Sequence, residues 1–389
     1  MNILFFIASL NGGGAEKVMI NIASYLPSNI SRQLITIYDS VPAYDYHGEL
    51  ISLTSFSQSR LLRILKIPVA FIKYLFLLND KDTSVCLSVL PLANFFAVIG
   101  NFFIKKPVLI AVHNMPSKND SPFLKYFEML TFRIAVHTNT RIIAVSNGVK
   151  DELIQLCQIP DSKIDVIYNP LLISEIQQES TIPYDDSRIS PTVPLIITVG
   201  RLSEVKGQWH LIRAFSELRK THPSQLLICG IGNEKEYLFE LVTELNLKDD
   251  VIFLGWQKNP YKYIANSTVF VLSSLSEALP NVLIEAMACG CPVVAANCSP
   301  GISEILGPNN DCGIITEKMS GIRHSTYEPL DNGERKLLEN ILTLLENAEL
   351  RDHMSRAAKE RAKMFDVDVG IQKYVELIEK ISNNNNPHT

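Results

Sequence analysis

The sequence predicts an α/β protein of two Rossmann-like domains facing a central cleft, and three observations carry that prediction. The chain has 389 residues, more than the ~250–300 at which a single hydrophobic core stops growing. Short apolar runs alternate with helical patterns in two successive series, the pattern of parallel sheets covered on both faces. Between the series, Ser174 to Pro194 is polar and turn-rich, including Ile182-Pro183-Tyr184-Asp185-Asp186-Ser187 and Ser190-Pro191-Thr192-Val193-Pro194, as a linker should be. The expected division is 1–185, 186–365, and a terminal segment 366–389 made of a helix returning to the first domain and a disordered tail.

In the first series, Asn2–Ile7 is an apolar run that breaks at Asn11-Gly12-Gly13-Gly14. It reads as a buried strand, since no basic leader precedes it and it is short for a signal peptide. Gln33–Tyr38, Val85–Val89, Val108–Val112 and Arg141–Val145 continue the strands. The second series runs through Leu195–Val199, Gln225–Cys229, Val251–Leu254, Val269–Leu272, Pro292–Ala296 and Gly313–Thr316, with helices at Trp209–Thr221 and Glu234–Leu245. Ligands of such sheets bind outside the carboxyl ends of the strands. The last helix is expected from about Val369 to Ile381.

Composition narrows the function. The formal net charge is -5, which gives nucleic acid no general attraction. Seven cysteines, an odd number without a Cys-x-x-Cys pair, fit reduced thiols rather than zinc or disulfides.

The strongest motif is Ser276-Glu277-Ala278-Leu279-Pro280-Asn281-Val282-Leu283-Ile284-Glu285-Ala286-Met287-Ala288-Cys289-Gly290. Pro280 suits a helix start and Gly290 a helix stop. The open amides of Leu279–Val282 then form an anion site, with Glu277 in the loop above and Glu285 within the helix. A diphosphate at that tip would direct a sugar towards Glu277 and a ribose towards Glu285. The second motif, Val199-Gly200-Arg201-Leu202-Ser203-Glu204-Val205-Lys206-Gly207, follows a strand. Arg201 and Lys206 can put a fork and a point charge on a diphosphate; alone, the segment reads as a solvated basic turn.

Together the motifs resemble the family 4 retaining glycosyltransferases of the GT-B fold, over essentially the whole chain. The specific part is Gly200-Arg201-Leu202 with Lys206-Gly207, then Gly230-Ile231-Gly232, then Glu277-x7-Glu285. The resemblance implies that Arg201 and Lys206 hold the diphosphate, Glu277 contacts the transferred sugar and Glu285 binds the ribose. It also implies that Leu279, Pro280, Asn281 and Val282 face phosphate, that Gly230 and Gly232 line the nucleotide pocket, and that Trp256 or Gln257 flanks the base. Gly13 and Gly14, in Gly12-Gly13-Gly14-Ala15-Glu16, would face the donor across the cleft. His113, after the strand Val108–Val112, would lie near the donor sugar in a role other than general base, with Asn114 a weaker neighbour. Ser146-Asn147-Gly148 and Asn169-Pro170 read as turns.

The implied reaction transfers a hexose or N-acetylhexosamine with retention, without a cofactor or catalytic metal, from a nucleotide diphosphate donor, UDP-linked for preference. Asp366-Val367-Asp368 spells a metal-binding pattern of another glycosyltransferase fold, but it sits where a helix begins, and Asp there is a cap. The acceptor would be a lipid-linked, lipopolysaccharide or capsule saccharide. One rival is a same-family enzyme with a soluble sugar or sugar-phosphate acceptor. Another is a nucleotide-binding oxidoreductase with Asp39 on the ribose, disfavoured because Lys17 stands where its glycine fingerprint needs glycine. A third is a non-catalytic partner subunit, whose motifs should have decayed.

Residues 51–150 hold twelve Lys/Arg against four acids, net +8. Within them, Arg60 to Phe76 interleaves cations with Leu, Ile, Phe and Tyr. Charges recur too often for a membrane span. The pattern suits either helices with basic outer edges or a segment lying on an anionic lipid surface. The second reading predicts a cytoplasmic protein peripheral on the inner face of the membrane, with binding that weakens with salt.

Overall fold

The computed structural model describes residues 1–10, 12–39, 46, 48–57, 59–118 and 122–383. The expected break at Asn11 and the tail after residue 383 lie outside them. The chain forms two compact units, Met1–Leu171 with Phe365–Thr389, and Leu172–Met364.

In chain order the first unit contains β1 (Asn2–Ile7), α1 (Gly14–Tyr25), β2 (Ser31–Tyr38), β3 (Leu50–Thr54), α2 (Arg60–Leu78), β4 (Thr83–Val89), α3 (Pro91–Ile104), β5 (Val108–Val112), α4 (Pro122–Val136), β6 (Thr140–Ala144), α5 (Asn147–Cys157) and β7 (Ile164–Val166). The seven strands are parallel in the order β3-β2-β1-β4-β5-β6-β7. β1 is buried from Ile3 to Ile7 and β5 throughout, as continuous apolar runs under helices on both faces must be.

The second unit contains α6 (Ile173–Ser180), β8 (Leu195–Val199), α7 (Gln208–Arg219), β9 (Gln225–Cys229), α8 (Lys235–Glu244), β10 (Val251–Gly255), α9 (Tyr261–Ala265), β11 (Val269–Leu272), α10 (Asn281–Cys289), β12 (Val293–Ala296), α11 (Pro300–Leu306), β13 (Gly313–Thr316), α12 (Asn332–Glu346) and α13 (Ala348–Ala362). Its six strands are parallel in the order β10-β9-β8-β11-β12-β13. Trp209, Leu211, Ile212 and Phe215 of α7 join Leu226, Val269 and Val294 of the sheet and Leu337 and Ile341 of α12 in one core. In both units the strand order reverses beside the first strand, between β1 and β4 and between β8 and β11. Those are the switch points where an open α/β sheet leaves a crevice at its carboxyl edge.

The expected linker needs correction. Its first part is α6, because Ile173 and Ile176 lie one turn apart and bury together against α9 and α10. The chain passes between units at Leu171/Leu172, not at 185/186, and passes back at Met364/Phe365. There Leu171 and Asp366 form a parallel bridge, with Leu171 N–H on Phe365 O at 2.9 Å and Val367 N–H on Leu171 O at 2.8 Å. α14 (Val367–Asn383) packs on α1 and β4 of the first unit. Asp366 accepts the Asp368 N–H at 3.1 Å. Ser146-Asn147-Gly148 is a helix start rather than a turn: the Ser146 hydroxyl accepts the Val149 N–H at 3.2 Å.

α2 also departs from expectation. It is one helix through Pro68, and two of its cations turn inward. Lys66 Nζ donates to Ser55 O and Oγ at 3.0 and 2.8 Å, and Lys73 Nζ donates to Leu53 O at 2.8 Å. Lys106 is bonded to Asp80 O and Thr83 O, and Arg141 and Lys150 pair with Asp165 and Asp161. Besides Lys73, the large side chains that the helix exposes are apolar: Leu61, Leu62, Ile64, Leu65, Val69, Ile72 and Phe76, the last at 75%. Phe102 and Phe103 at the end of α3 are likewise exposed. No helix among the described residues is long and apolar enough to cross a membrane.

Candidate active site

The second unit's switch point brings together the loops after β8 and β11. Leu275 N–H bonds Val205 O at 2.8 Å and the Ser273 hydroxyl donates to Lys206 O at 3.2 Å, so the two loops run side by side. Gly207 has φ +57°, and a Cβ there would stand 2.5 Å from Ser273 O. Glycine is therefore required both by the turn and by the approach.

This arrangement puts Lys206 Nζ 2.6 Å from Glu277 Oε1, and the Ser274 hydroxyl donates to the same oxygen at 2.7 Å. The side chains are 22% and 14% exposed, so the pair is sheltered yet reachable. An ammonium has three N–H donors, and Glu277 takes one. Ser274, one residue past Ser273 in an unremarkable Ser-Ser, joins the candidate site with no motif to mark it. Cys298 lies near the pair, its thiol pushed up to about 12 by burial, with the Glu277 charge acting in the same direction. All seven cysteines are buried thiols.

α10 begins at Asn281 after Pro280, which has no side-chain oxygen to cap the first turn. Leu279 and Pro280 are buried, and Asn281 and Val282 partly so. Glu285, 8% exposed, accepts from the Tyr261 hydroxyl at 3.3 Å.

The loops after β8 and β9 continue the sheet's pairing past the strands. Gly200 N–H bonds Cys229 O, Leu202 N–H bonds Ile231 O, and Gly230 N–H bonds Gly255 O, at 2.8–2.9 Å. Side chains on Gly230 and Gly232 would collide with Gly200 O and Leu202 O, so both glycines are required by this stitching whatever they line. Arg201 is exposed, its guanidinium unbonded among the described residues, while its carbonyl accepts from Gln208 Nε2 at 3.0 Å. Trp256 is exposed, and Gln257 Nε2 donates to Leu254 O at 2.8 Å.

The predicted residues of the first unit stand at its own carboxyl edge. Gly13 caps α1, and the Glu16 carboxylate accepts the N–H groups of Gly12 and Gly13. The loop thus satisfies its own amides, through an acid that its position three residues past the cap could have signalled. His113 follows β5. Part of the residue is accessible, but Nε2 is buried without a partner among the described residues. Burial pushes the imidazole down to about 4, which leaves the ring neutral near pH 7. Asn114 Nδ2 donates to the buried Glu128 at 3.1 Å.

His210, Asp331 and Glu334 place three ligand-type atoms within 4.8 Å of one another, but each already has protein partners. His210 Nδ1 donates to Glu334 Oε1 at 2.9 Å and Nε2 accepts from Gly321 N–H at 3.2 Å, a network that assigns the neutral tautomer. Arg213 Nε is 3.0 and 3.2 Å from the two Glu334 oxygens. Asp331 accepts from Glu334 N–H and the Ser320 hydroxyl. Arg213 and Glu334 form a buried ion pair that anchors the segment before α12.

Two family descriptions match the chain: Glycosyltransferase Family 4 over residues 12–172 and Glycosyl transferases group 1 over 184–361. A Campylobacter jejuni protein named N-acetylgalactosamine-N,N'-diacetylbacillosaminyl-diphospho-undecaprenol 4-alpha-N-acetylgalactosaminyltransferase is 30% identical over 372 residues, 93% of this chain and 94% of its own. A Salmonella typhimurium lipopolysaccharide 1,6-galactosyltransferase is 32% identical over 43% of this chain and 45% of its own. Among solved structures, Anabaena HepE in complex with UDP has a TM-score of 0.77 at 23% identity, over 98% of this chain and all of that one. Sucrose-phosphate synthase from Thermosynechococcus elongatus has a TM-score of 0.78 at 17% identity, over 98% and 99%.

Proposed function

The chain belongs to the family 4 glycosyltransferases, and from that premise we propose that it transfers a hexosyl or N-acetylhexosaminyl group from a UDP-linked donor, with retention and without a catalytic metal, to a lipid-linked or lipopolysaccharide saccharide. The observation that carries the donor side is the Lys206–Glu277 pair at the second unit's switch point. In the reaction the C1–O bond to the diphosphate breaks while a C1–O bond to the acceptor hydroxyl forms on the same face. The departing phosphate oxygen takes the acceptor's proton. Lys206 and Arg201 stabilise charge growing on the leaving diphosphate, Glu277 orients the sugar through its hydroxyls, and the α10 amides receive phosphate oxygens.

UDP is the preferred donor nucleotide because a structural neighbour of the same fold binds it. The acceptor class rests on the names of the Campylobacter and Salmonella relatives. The exposed apolar face of α2 supports docking on a lipid surface. Because Lys66 and Lys73 are bonded inward, that docking works by apolar insertion rather than charge. Flotation with phosphatidylcholine vesicles should carry the protein up at both 50 mM and 500 mM salt; absence of binding to neutral and anionic vesicles alike would refute docking.

The function is tested by hydrolysis of UDP-, GDP- and ADP-sugars with purified protein in EDTA. Release of UDP, with the sugar first appearing as the donor's own anomer by NMR, is the expected result. Turnover only after a divalent cation is restored, or an inverted product, would overturn the corresponding part of the proposal.

A further inference from the structure

Glu285, in the middle of α10, is buried. A carboxylate there must be oriented, because it can accept two ribose hydroxyls only if its plane presents the right lone pairs. The structure supplies an orienting group on a separate element. α9 is a five-residue helix, too short to hold its place by its own hydrogen bonds. Asn259 fixes its start: Oδ1 accepts the N–H groups of Tyr261 and Lys262 at 3.0 and 3.4 Å. The Asn259 amide donates to Glu179 O, near the end of α6, at 2.9 Å. α6 and α9 both pack on α10. Tyr261, 6% exposed, is thereby held at its backbone while its hydroxyl donates to Glu285 Oε1 at 3.3 Å, in the interior.

We infer that Tyr261 is a positioning residue for nucleotide recognition: its phenol fixes the rotation of the Glu285 carboxylate so that the enzyme selects a ribose over a deoxygenated sugar. Asn259 sets the height from which the phenol reaches. A phenylalanine would fill the same space without the donor, so the packing role and the orienting role can be separated. The inference rests on the assignment of Glu285 to the ribose hydroxyls.

The test is calorimetric titration of the full chain with UDP and with 2′,3′-dideoxy-UDP, and in parallel with GDP and its dideoxy form. The ratio of affinities within each pair is the readout. Wild type should prefer the ribose form, and Glu285→Gln should abolish that preference. Tyr261→Phe should lower it about five- to tenfold, the size of one ordinary hydrogen bond, while affinity for the dideoxy form stays at the wild-type value. A Tyr261→Phe protein with the wild-type ratio, or one weakened equally for both forms, overturns the inference and leaves the Glu285 assignment standing. A wild type without ribose preference, or a Glu285→Gln protein that keeps it, overturns the assignment itself and the inference with it.

Discussion

The two switch points have the same strand order and different loops. After β1 the chain takes six residues to reach α1, and the turn closes on its own Glu16. After β4 a single residue, Leu90 at φ +76°, leads directly into α3. In the second unit the corresponding loops have eight residues each, Gly200–Gly207 and Ser273–Pro280. They are long enough to fold over one another and set a lysine against a glutamate. Topology supplies a crevice in both places, but loop length decides which can hold opposed charges at fixed distance. The largest test of that contrast removes the charges. Lys206→Ala should lower kcat/KM for the donor by roughly 10²–10³, with damage to both affinity and turnover. Glu277→Ala should lower turnover more than donor affinity. Normal turnover for Lys206→Ala in steady-state assays would refute the diphosphate role.

A smaller effect should follow from moving the loops without touching the charges. Gly207→Ala places a Cβ against Ser273 O at a left-handed φ. The expected cost is about 1–3 kcal/mol of stability, with weaker donor binding as Lys206 shifts from Glu277. Thermal melting and UDP titration read the two parts separately. A stable protein with wild-type UDP affinity would show that the loop contact does not position Lys206.

Much of this contrast is legible in the residues. Every strand read from the apolar runs is present, because a strand buried on both faces leaves an unbroken run such as Leu195–Val199. Glu277-x7-Glu285 could be placed on a loop and a helix from Pro280 and Gly290 alone. Ser274 and Tyr261 could not be found this way: no motif marks a serine three residues before Glu277, and Tyr261 meets Glu285 through tertiary contact over 24 positions of sequence. β3, β7 and α6 are short elements that depend on neighbours for their burial, and their local patterns are correspondingly weak. Lys66 and Lys73 show the limit most clearly: sequence gives a lysine's charge but not the carbonyl on which it ends.

His113 offers a test confined to the first unit. Its folded pKa, about 4, lies below the ordinary 6.5, so between those values the unfolded chain binds more protons. Stability should therefore be fully present above about pH 6.5 and fall as pH drops towards 4. His113→Gln should flatten that part of the stability profile measured by denaturant unfolding. An unchanged profile would mean that the imidazole protonates in place.

The smallest expected effect sharpens the comparison at its origin, the loop that closes on itself. Glu16→Gln keeps the side chain's length but replaces a charged acceptor by a neutral one at the Gly12 and Gly13 amides. Loss of a cap of this kind costs about 1 kcal/mol, or roughly 2–4 °C in melting temperature for a domain of this size. Donor hydrolysis separates two meanings of the loop. If Glu16 only completes the turn, melting falls and the donor KM stays within about twofold. A KM that rises with the fall in stability would mean that the loop does more than complete its own turn.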